Sequence, residues 1–163
     1  MGNNINMPEE INQSFLTMPC KDRHMLIPAS YLVLRRNDEV LLLRRFNTGY
    51  EDGKYSMPAG HVDAGETFTE TVIREVGEEI GITLKWEDVR MAHMMHRKSV
   101  YTERIDTFFT TGEWTGEPKN MEPNKCDDLS WFLLDKLPEN TIPYIRQALE
   151  CIRDGKFYSE FGW

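Results

Sequence analysis

The sequence GHVDAGETFTETVIREVGEEIGI, at residues 60–82, decides the fold of this chain. Within it, Thr67 and Glu70 have the spacing of a capping box, which marks the first turn of an α-helix. Gly81 follows as a stop signal, because glycine readily adopts the left-handed conformation that ends many helices. Apolar residues between these two signals recur at helical spacing and form one stripe: Val72, Ile73, Val76 and Ile80. We therefore predict an amphipathic helix over residues 67–80.

Three carboxylates accompany the apolar stripe. Glu75, Glu78 and Glu79 are three and four residues apart, so they share a neighbouring face of the predicted helix. A run of like charges is most often a solvated helix face. The same carboxylates, with backbone carbonyls of the loop at residues 58–60, could instead bind Mg²⁺ or Mn²⁺, which prefer hard oxygen ligands. The residues alone leave both interpretations open.

The segment also resembles a known motif, the Nudix box G-x5-E-x7-R-E-U-x-E-E-x-G-U, in which U is an aliphatic residue. At ordinary residue frequencies, a chance match occurs in roughly one window per billion. The resemblance implies an α/β fold, namely the Nudix-type α/β/α sandwich with a mixed β-sheet between helices, over residues 25–152. Every specified position is matched, by Gly60, Glu66, Arg74, Glu75, Val76, Glu78, Glu79, Gly81 and Ile82.

A metal site is the first functional implication of this resemblance. Glu75, Glu78 and Glu79 would bind the divalent cations, and the carbonyl of Ala59 would be a further ligand. Many family members supply one more carboxylate from a later loop, and Glu122 is the candidate in this chain. The implied cofactor is Mg²⁺, with Mn²⁺ as the alternative.

The resemblance also implies how the carboxylates would act. Bound cations lower the pKa of a water molecule, which then attacks one phosphorus of a diphosphate linkage. Glu75 or Glu79 would accept the proton from this water, and the choice differs among family members. Arg74 would orient the carboxylates through charge-assisted hydrogen bonds, and Glu66 would hold the loop to the helix.

Three residues outside the motif are candidates for substrate binding. Arg44 and Arg45 follow an apolar strand, where MutT-like members of the family carry basic residues that face nucleotide phosphates; a solvated strand end is the alternative. Asn140 precedes the last predicted helix, at a point where MutT-like enzymes use an asparagine to recognise a purine. The alternative for Asn140 is an N-cap, a position that asparagine favours.

The expected activity is that of a MutT-like hydrolase. Such an enzyme cleaves a nucleoside triphosphate, in some cases a modified or oxidised one, to a monophosphate and pyrophosphate. A hydrolase of another nucleoside diphosphate derivative, such as a nucleotide sugar or a dinucleoside polyphosphate, is the first alternative. The second alternative is a Nudix-fold nucleotide sensor without catalysis, although such modules often lose carboxylates that this sequence keeps.

Composition limits the cellular setting. The 163 residues carry a net charge of −8, which opposes general binding to nucleic acids or anionic membranes. We expect a small nucleotide as the partner. Three scattered cysteines indicate a reducing compartment, and no secretory signal or membrane-spanning run is evident. We therefore expect a cytoplasmic protein.

The remaining sequence predicts one domain at residues 25–163, preceded by an N-terminal arm at residues 1–24 with a short helix at residues 8–18. The aromatic tail at residues 157–163 should pack on the domain or on a second copy in a homodimer. Other predicted elements are a strand hairpin at 28–36 and 39–46, strands at 91–95, 103–111 and 129–134, and a helix at 141–152.

Overall fold

A computed structural model describes residues 24–163 of the protein. This part of the chain contains two α-helices and nine strands: five strands precede the first helix, three lie between the helices and one follows the second. In chain order they are β1 (Ile27–Val33), β2 (Arg35–Arg36), β3 (Glu39–Arg45), β4 (Tyr55–Ser56), β5 (Ala59–His61), α1 (Phe68–Ile80), β6 (Val89–Lys98), β7 (Glu103–Thr111), β8 (Cys126–Leu133), α2 (Pro143–Arg153) and β9 (Tyr158–Phe161). A short 3-10 helix, Trp86–Asp88, precedes β6.

The strands form two sheets. The larger sheet has the order β5-β1-β7-β6-β9 and is mixed, because β1 runs parallel to β7 and β6 runs parallel to β9. The smaller sheet is antiparallel and contains β2, β3, β4 and β8. Helix α1 packs on β1, β5 and β7, whereas α2 packs on β6 and β9. The predicted α/β class, with a mixed sheet between helices, is confirmed.

Helix α1 begins and ends as its sequence predicts. Thr67 is the N-cap, and both hydrogen bonds of its capping box with Glu70 are present. Gly81 ends the helix with a φ of 69°, in the left-handed region. Val72, Val76 and Ile80 of the apolar stripe are fully buried, where they meet Leu32, Leu34 and Phe109 among others, and Ile73 is partly buried beside them. Burial of this stripe fixes the rotation of α1 and so determines where its carboxylates point.

A second core lies between the two sheets and α2. Tyr31 of β1 stacks on Phe108 of β7 with ring centroids 4.8 Å apart, and Tyr144 of α2 meets Tyr31 edge-on at 6.3 Å. Side chains alternate along β1, so Tyr31 and Val33 belong to this core while Leu32 belongs to the α1 core. Strand β1 therefore connects both cores.

The predicted hairpin at residues 28–46 is wrong in its main part. β1 and β3 belong to different sheets, and only the two-residue β2 pairs with β3 around a turn at Asn37, whose φ is 56°. The physical reason is burial on both faces of β1, which makes it an interior strand between β5 and β7 rather than one arm of a hairpin. β6 is longer than predicted, by two residues before and three after residues 91–95.

The aromatic tail packs on its own domain. β9 pairs with β6 from Met94 to Arg97, and the Trp163 indole donates a hydrogen bond to the His96 carbonyl at 3.2 Å. The Trp163 ring also lies against the ammonium group of Lys98, 4.6 Å from the ring centroid. These contacts agree with the first of the two predicted packing modes; the homodimer stays a prediction.

The predicted N-terminal arm, with its helix at residues 8–18, lies outside the described residues except for His24. Within residues 24–163, neither helix is long and apolar enough to cross a membrane. The division into an arm and a domain stays a prediction.

Candidate active site

A cavity of about 490 Å³ opens beside β5 and the C-terminal half of α1 and reaches between the sheets. This volume lies within the range of ligand pockets in proteins. Most of its lining is polar and charged. The wall from β5 and α1 carries Ala59, Gly60, Arg74, Glu75, Glu78 and Glu79, and the loop before β8 adds Glu122 and Lys125. Six of the predicted site residues therefore line one cavity, and a seventh, Arg45, lines it as well.

Gly60 is required where it stands because the Glu75 carboxylate occupies the place of a side chain. A Cβ on Gly60 would lie 1.7 Å from Glu75 Oε1, far inside contact distance. The first residue of the motif therefore lets a helical carboxylate approach the backbone of β5. The spacing between the two residues places them in contact across the loop.

Arg74 is the centre of an ion-pair network. Its Nε donates to Glu66 Oε1 at 2.8 Å, and its Nη2 donates to Glu66 Oε2 at 3.0 Å. Its Nη1 contacts Glu75 Oε1 at 2.6 Å and Glu78 Oε2 at 3.4 Å. Hydrogen bonds from Arg74 and Thr71 lower the pKa of Glu66 to about 2. Arg74 therefore joins the loop to the carboxylate face of α1.

Glu79 is the most deeply placed of the motif carboxylates. Its Oε2 accepts a hydrogen bond from the backbone amide of Ala59 at 2.9 Å. Burial is the main cause that raises the pKa of Glu79 to about 8; the charges of Glu75 and Glu122 act in the same direction, and the hydrogen bond from the Ala59 amide opposes them. Burial also raises the pKa of Glu75, with smaller contributions from Glu78 and Glu122.

Glu122 lies in the same cavity through a loop 40 residues beyond the motif. Its Oε1 accepts a hydrogen bond from Lys125 Nζ at 2.7 Å. Its backbone carbonyl accepts hydrogen bonds from the amides of Lys125 and Cys126, both at 2.9 Å, which anchor the loop to the start of β8. Glu122 and Lys125 therefore add one negative and one positive charge to the carboxylate wall.

The oxygen donors of this wall suit a hard divalent cation, but their side chains do not converge on one point in this structure. Among residues 24–163, no three acidic, histidine or cysteine side chains are close enough together to hold a metal ion. Glu75 and Glu78 both contact Arg74, and Glu79 is held by the Ala59 amide. A cation would therefore compete with Arg74 for two of its carboxylates.

The two adjacent arginines of β3 point in different directions. Arg45 lines the cavity, where its Nε donates to the Tyr50 carbonyl at 2.7 Å and its Nη2 to Thr48 Oγ1 at 3.0 Å. Arg44 instead forms a bidentate pair with Asp127 at 2.7 and 3.1 Å and does not line the cavity. This difference follows from the alternation of side chains along a strand.

Asn140 is neither a helix cap nor part of the cavity lining. α2 begins at Pro143 with Ile142 as its N-cap, so the predicted capping role is wrong. The Asn140 amide donates to the Gly53 carbonyl at 2.7 Å, and its backbone carbonyl accepts the Tyr55 amide at 3.0 Å. These bonds tie the loop before α2 to the loop before β4. Recognition of a base by Asn140 stays a prediction.

Sequence reasoning missed a group of charged residues on β6 and β7. Arg97 and Arg104 line the cavity, and Asp106 is completely buried beneath them. The available signal was strand alternation, which places Arg104, Asp106 and Phe108 on one face of β7. A charged pair on the same face as a buried aromatic residue is uncommon in a core.

Comparisons with known proteins agree with this geometry. The model of the NUDIX domain family matches residues 25–151. The chain belongs to the NUDIX domain family. This assignment confirms the family and fold that the sequence motif predicts, and it covers nearly all of the described residues.

Solved structures of the family resemble this Nudix chain closely. The MutT NUDIX hydrolase of Burkholderia pseudomallei has a TM-score of 0.72 and 27% identity, covering 78% of this chain and 98% of that protein. The MutT protein of Methanosarcina mazei Go1 has a TM-score of 0.70 and 28% identity, covering 79% and 94%. Both are similar over almost their whole length.

Curated relatives with a different name also match. The NAD-capped RNA hydrolase NudC of Chromobacterium violaceum is 31% identical over 133 residues, and that of Shigella dysenteriae is 26% identical over 138 residues. These matches cover 78% and 83% of this chain but only 48% and 51% of the relatives. The chain thus spans about half the length of the curated relatives it matches.

Proposed function

We propose that this Nudix protein is a metal-dependent hydrolase that cleaves a diphosphate linkage in a nucleotide. One observation carries the proposal: four carboxylates, from Glu75, Glu78, Glu79 and Glu122, line one cavity of ligand size. Like charges so close together are unfavourable without a cation and favourable with one. The hydrolase names of the related proteins and structures support the same class of enzyme.

Magnesium would be held by the carboxylates of α1, with Glu122 and the Ala59 carbonyl as further ligands. Bound there, the ion would neutralise phosphate charge and lower the pKa of a water molecule. The donor set consists of oxygen atoms, which suits Mg²⁺ or Mn²⁺. The raised pKa of Glu79, about 8, is consistent with a carboxylate wall that lacks positive charge.

The residues of the chain would position the substrate and move the proton. Oε2 of Glu79 is engaged by the Ala59 amide, which leaves Oε1 free to accept a proton from the attacking water. Glu75 is the second candidate base, and Arg74 holds its Oε1. Arg45 and Lys125 line the same cavity and would contact the phosphate oxygens.

Two substrate classes have support. The MutT-named structures favour a nucleoside triphosphate, cleaved to a monophosphate and pyrophosphate. The NudC relatives favour a dinucleotide of the NAD type, cleaved at its diphosphate, and extend the candidates to RNA that carries an NAD cap. That extension differs from the expectation, based on net charge, that no nucleic acid binds. Only the capped end would need to enter the cavity.

The test is a Mg²⁺-dependent screen of the wild type, Glu78→Gln and Glu87→Gln against nucleoside triphosphates and NADH. Pyrophosphate, inorganic phosphate and nucleoside monophosphates are measured separately. Glu87 is exposed and does not line the cavity, so its variant is the matched control. We expect turnover in the wild type and control, and loss in Glu78→Gln. No turnover of any compound with Mg²⁺ or Mn²⁺ would refute the proposal.

Pyrophosphate release from a triphosphate would assign the MutT-like substrate class. Release of AMP and the reduced nicotinamide mononucleotide from NADH would assign the dinucleotide class. Nucleotide binding without any turnover would instead support a Nudix-fold nucleotide sensor without catalysis.

A further inference from the structure

A second wall of the cavity carries positive charge. It is formed by β5, β6 and β7, and its charged residues are Arg97 and Arg104. Ion pairs in the described part of the chain connect neither arginine to the carboxylates of α1. The cavity is therefore divided between an acidic wall, where the diphosphate would be cleaved, and this basic wall.

The charged group of Arg97 is paired within the protein. Its Nε and Nη2 both donate to the Asp106 carboxylate, and the pair is almost completely buried, with exposures of 4% and 0%. The Arg97 guanidinium also lies over the Tyr144 ring, 3.9 Å from its centroid. Arg97 and Asp106 thus compensate each other in charge and form the floor of the basic wall.

Arg104 has no such compensation. It lies directly opposite Arg97 in the β6–β7 ladder, and its side chain is 16% exposed. Its Nη2 donates to His61 Nε2, but its Nε is buried and has no hydrogen-bond partner among the described residues. The nearest carboxylate oxygen, Asp106 Oδ1, is 3.8 Å from Nε and already accepts a hydrogen bond from Arg97. One carboxylate therefore faces two guanidinium groups.

We propose that Arg104 binds an anionic group of the substrate that is separate from the diphosphate being cleaved. An anion bound to the exposed part of the Arg104 side chain would compensate the second guanidinium, whereas a neutral base edge would leave the charge in place. The planar guanidinium suits a phosphate monoester, such as one on the ribose 2′ or 3′ oxygen. This proposal rests on the proposed function, because it concerns the same cavity.

The test measures binding without turnover. Calorimetry in Mg²⁺ compares AMP, GMP, adenosine 2′,5′-bisphosphate and adenosine 3′,5′-bisphosphate. The variants are Arg104→Gln, Arg104→Lys and, as a matched control, Arg35→Gln at an exposed arginine outside the cavity. We expect one bisphosphate to bind the wild type and control at least tenfold more tightly than AMP. Arg104→Gln should abolish this difference, and Arg104→Lys should retain part of it.

The two bisphosphates distinguish a 2′-phosphate from a 3′-phosphate, the second being the position that continues an RNA chain. Equal binding of AMP and both bisphosphates to the wild type would overturn the proposal. So would an unchanged preference in Arg104→Gln. A preference for GMP over AMP that disappears in Arg104→Gln would show that Arg104 recognises a base edge, which also overturns it.

Failure of the proposed function would look different. If the wild type hydrolyses none of the nucleoside triphosphates, NADH or NADPH with Mg²⁺ or Mn²⁺, but the bisphosphate preference depends on Arg104, the anion site stands and the hydrolase does not. If a nucleotide is hydrolysed but neither bisphosphate binds the wild type more tightly than AMP, the hydrolase stands and the anion site does not. Thermal unfolding of each variant checks folding, and Arg104→Lys provides the test should Arg104→Gln prove unstable.

Discussion

The carboxylate of Glu79 and the backbone amide of Ala59 are joined by a hydrogen bond of 2.9 Å, which fastens the last turn of α1 to the first residue of β5. The same bond occupies one oxygen of the most buried carboxylate in the site. Glu79 is therefore both a connection between two elements and a candidate ligand and base. Its two roles can be separated by experiment.

Glu79→Gln should separate them. The glutamine carbonyl can still accept the Ala59 amide, so we expect thermal stability without metal to remain near that of the wild type. Loss of a proton acceptor and metal ligand should lower kcat by about 100-fold or more. Wild type at a Mg²⁺ concentration 100 times Kd should gain about 2.7 kcal/mol of stability, and the variant much less. Calorimetric unfolding with and without Mg²⁺ checks this; equal gains in both proteins would remove Glu79 from the metal site.

Gly60→Ala should displace Glu75. The new Cβ would overlap Glu75 Oε1, and the carboxylate must move by more than an ångström to make room. Misplacement of a catalytic group on that scale lowers activity by about 100-fold. Gly112→Ala is the matched control, because nothing lies within 4 Å of its Cβ and its φ is not positive. Steady-state kinetics of both variants test the prediction, which fails if Gly60→Ala retains wild-type kcat/KM.

Arg74→Lys should weaken the network around α1. A lysine ammonium cannot donate in the planar, forked pattern by which Arg74 holds Glu66 and reaches Glu75. We expect a loss of about 1–2 kcal/mol, reduced from the value for buried charged pairs because Arg74 is partly exposed. Arg36→Lys, at the exposed pair with Glu39, should cost less than about 0.5 kcal/mol. Urea unfolding provides both values, and equal losses would contradict the central role of Arg74.

His93 should make stability depend on pH. It is buried in β6, with its ring nitrogens 2.8 Å from the Lys156 carbonyl and 2.9 Å from Ser159 Oγ, and burial lowers its pKa below the usual 6.5. The unfolded chain therefore binds the proton more readily than the folded one. This contribution to stability is fully present above about pH 6.5 and is lost as the pH falls through the lowered pKa.

The check is urea unfolding of wild type and His93→Asn from pH 8 to pH 5. Asparagine can replace the bond to the Lys156 carbonyl but carries no titrating group in this range. The stability advantage of the wild type should therefore shrink on acidification. A difference that stays constant with pH would show that the pKa of His93 is the same in the folded and the unfolded chain.

The sequence of the motif was sufficient to predict α1, its cap at Thr67 and its end at Gly81, because these depend on neighbouring residues. It was also sufficient to predict that Glu75, Glu78 and Glu79 lie on one face of α1. The sheet assignment of β1 was not accessible in this way, because its pairing with β5 and β7 involves residues up to 77 positions distant. A run of apolar residues indicates a buried strand but not its neighbours.

The basic wall was missed for a related reason. Arg97 and Asp106 are separated by nine residues, and their pairing depends on the register between β6 and β7, which has a bulge between Met91 and His93. The misassigned cap at Asn140 shows the same limit. Its amide bonds with Gly53, 87 residues away, and no local pattern reveals that partner.

The placement of Arg104 on a strand that contributes no motif carboxylate has a consequence for protein engineering. A library at position 104 would vary what the pocket accepts while leaving α1, the Gly60 contact and the Arg74 network as they are. Selection for new substrates could then change the basic wall without altering the carboxylates of the acidic wall. For the same reason, a duplicated gene could change its preference from one nucleotide derivative to another through few substitutions.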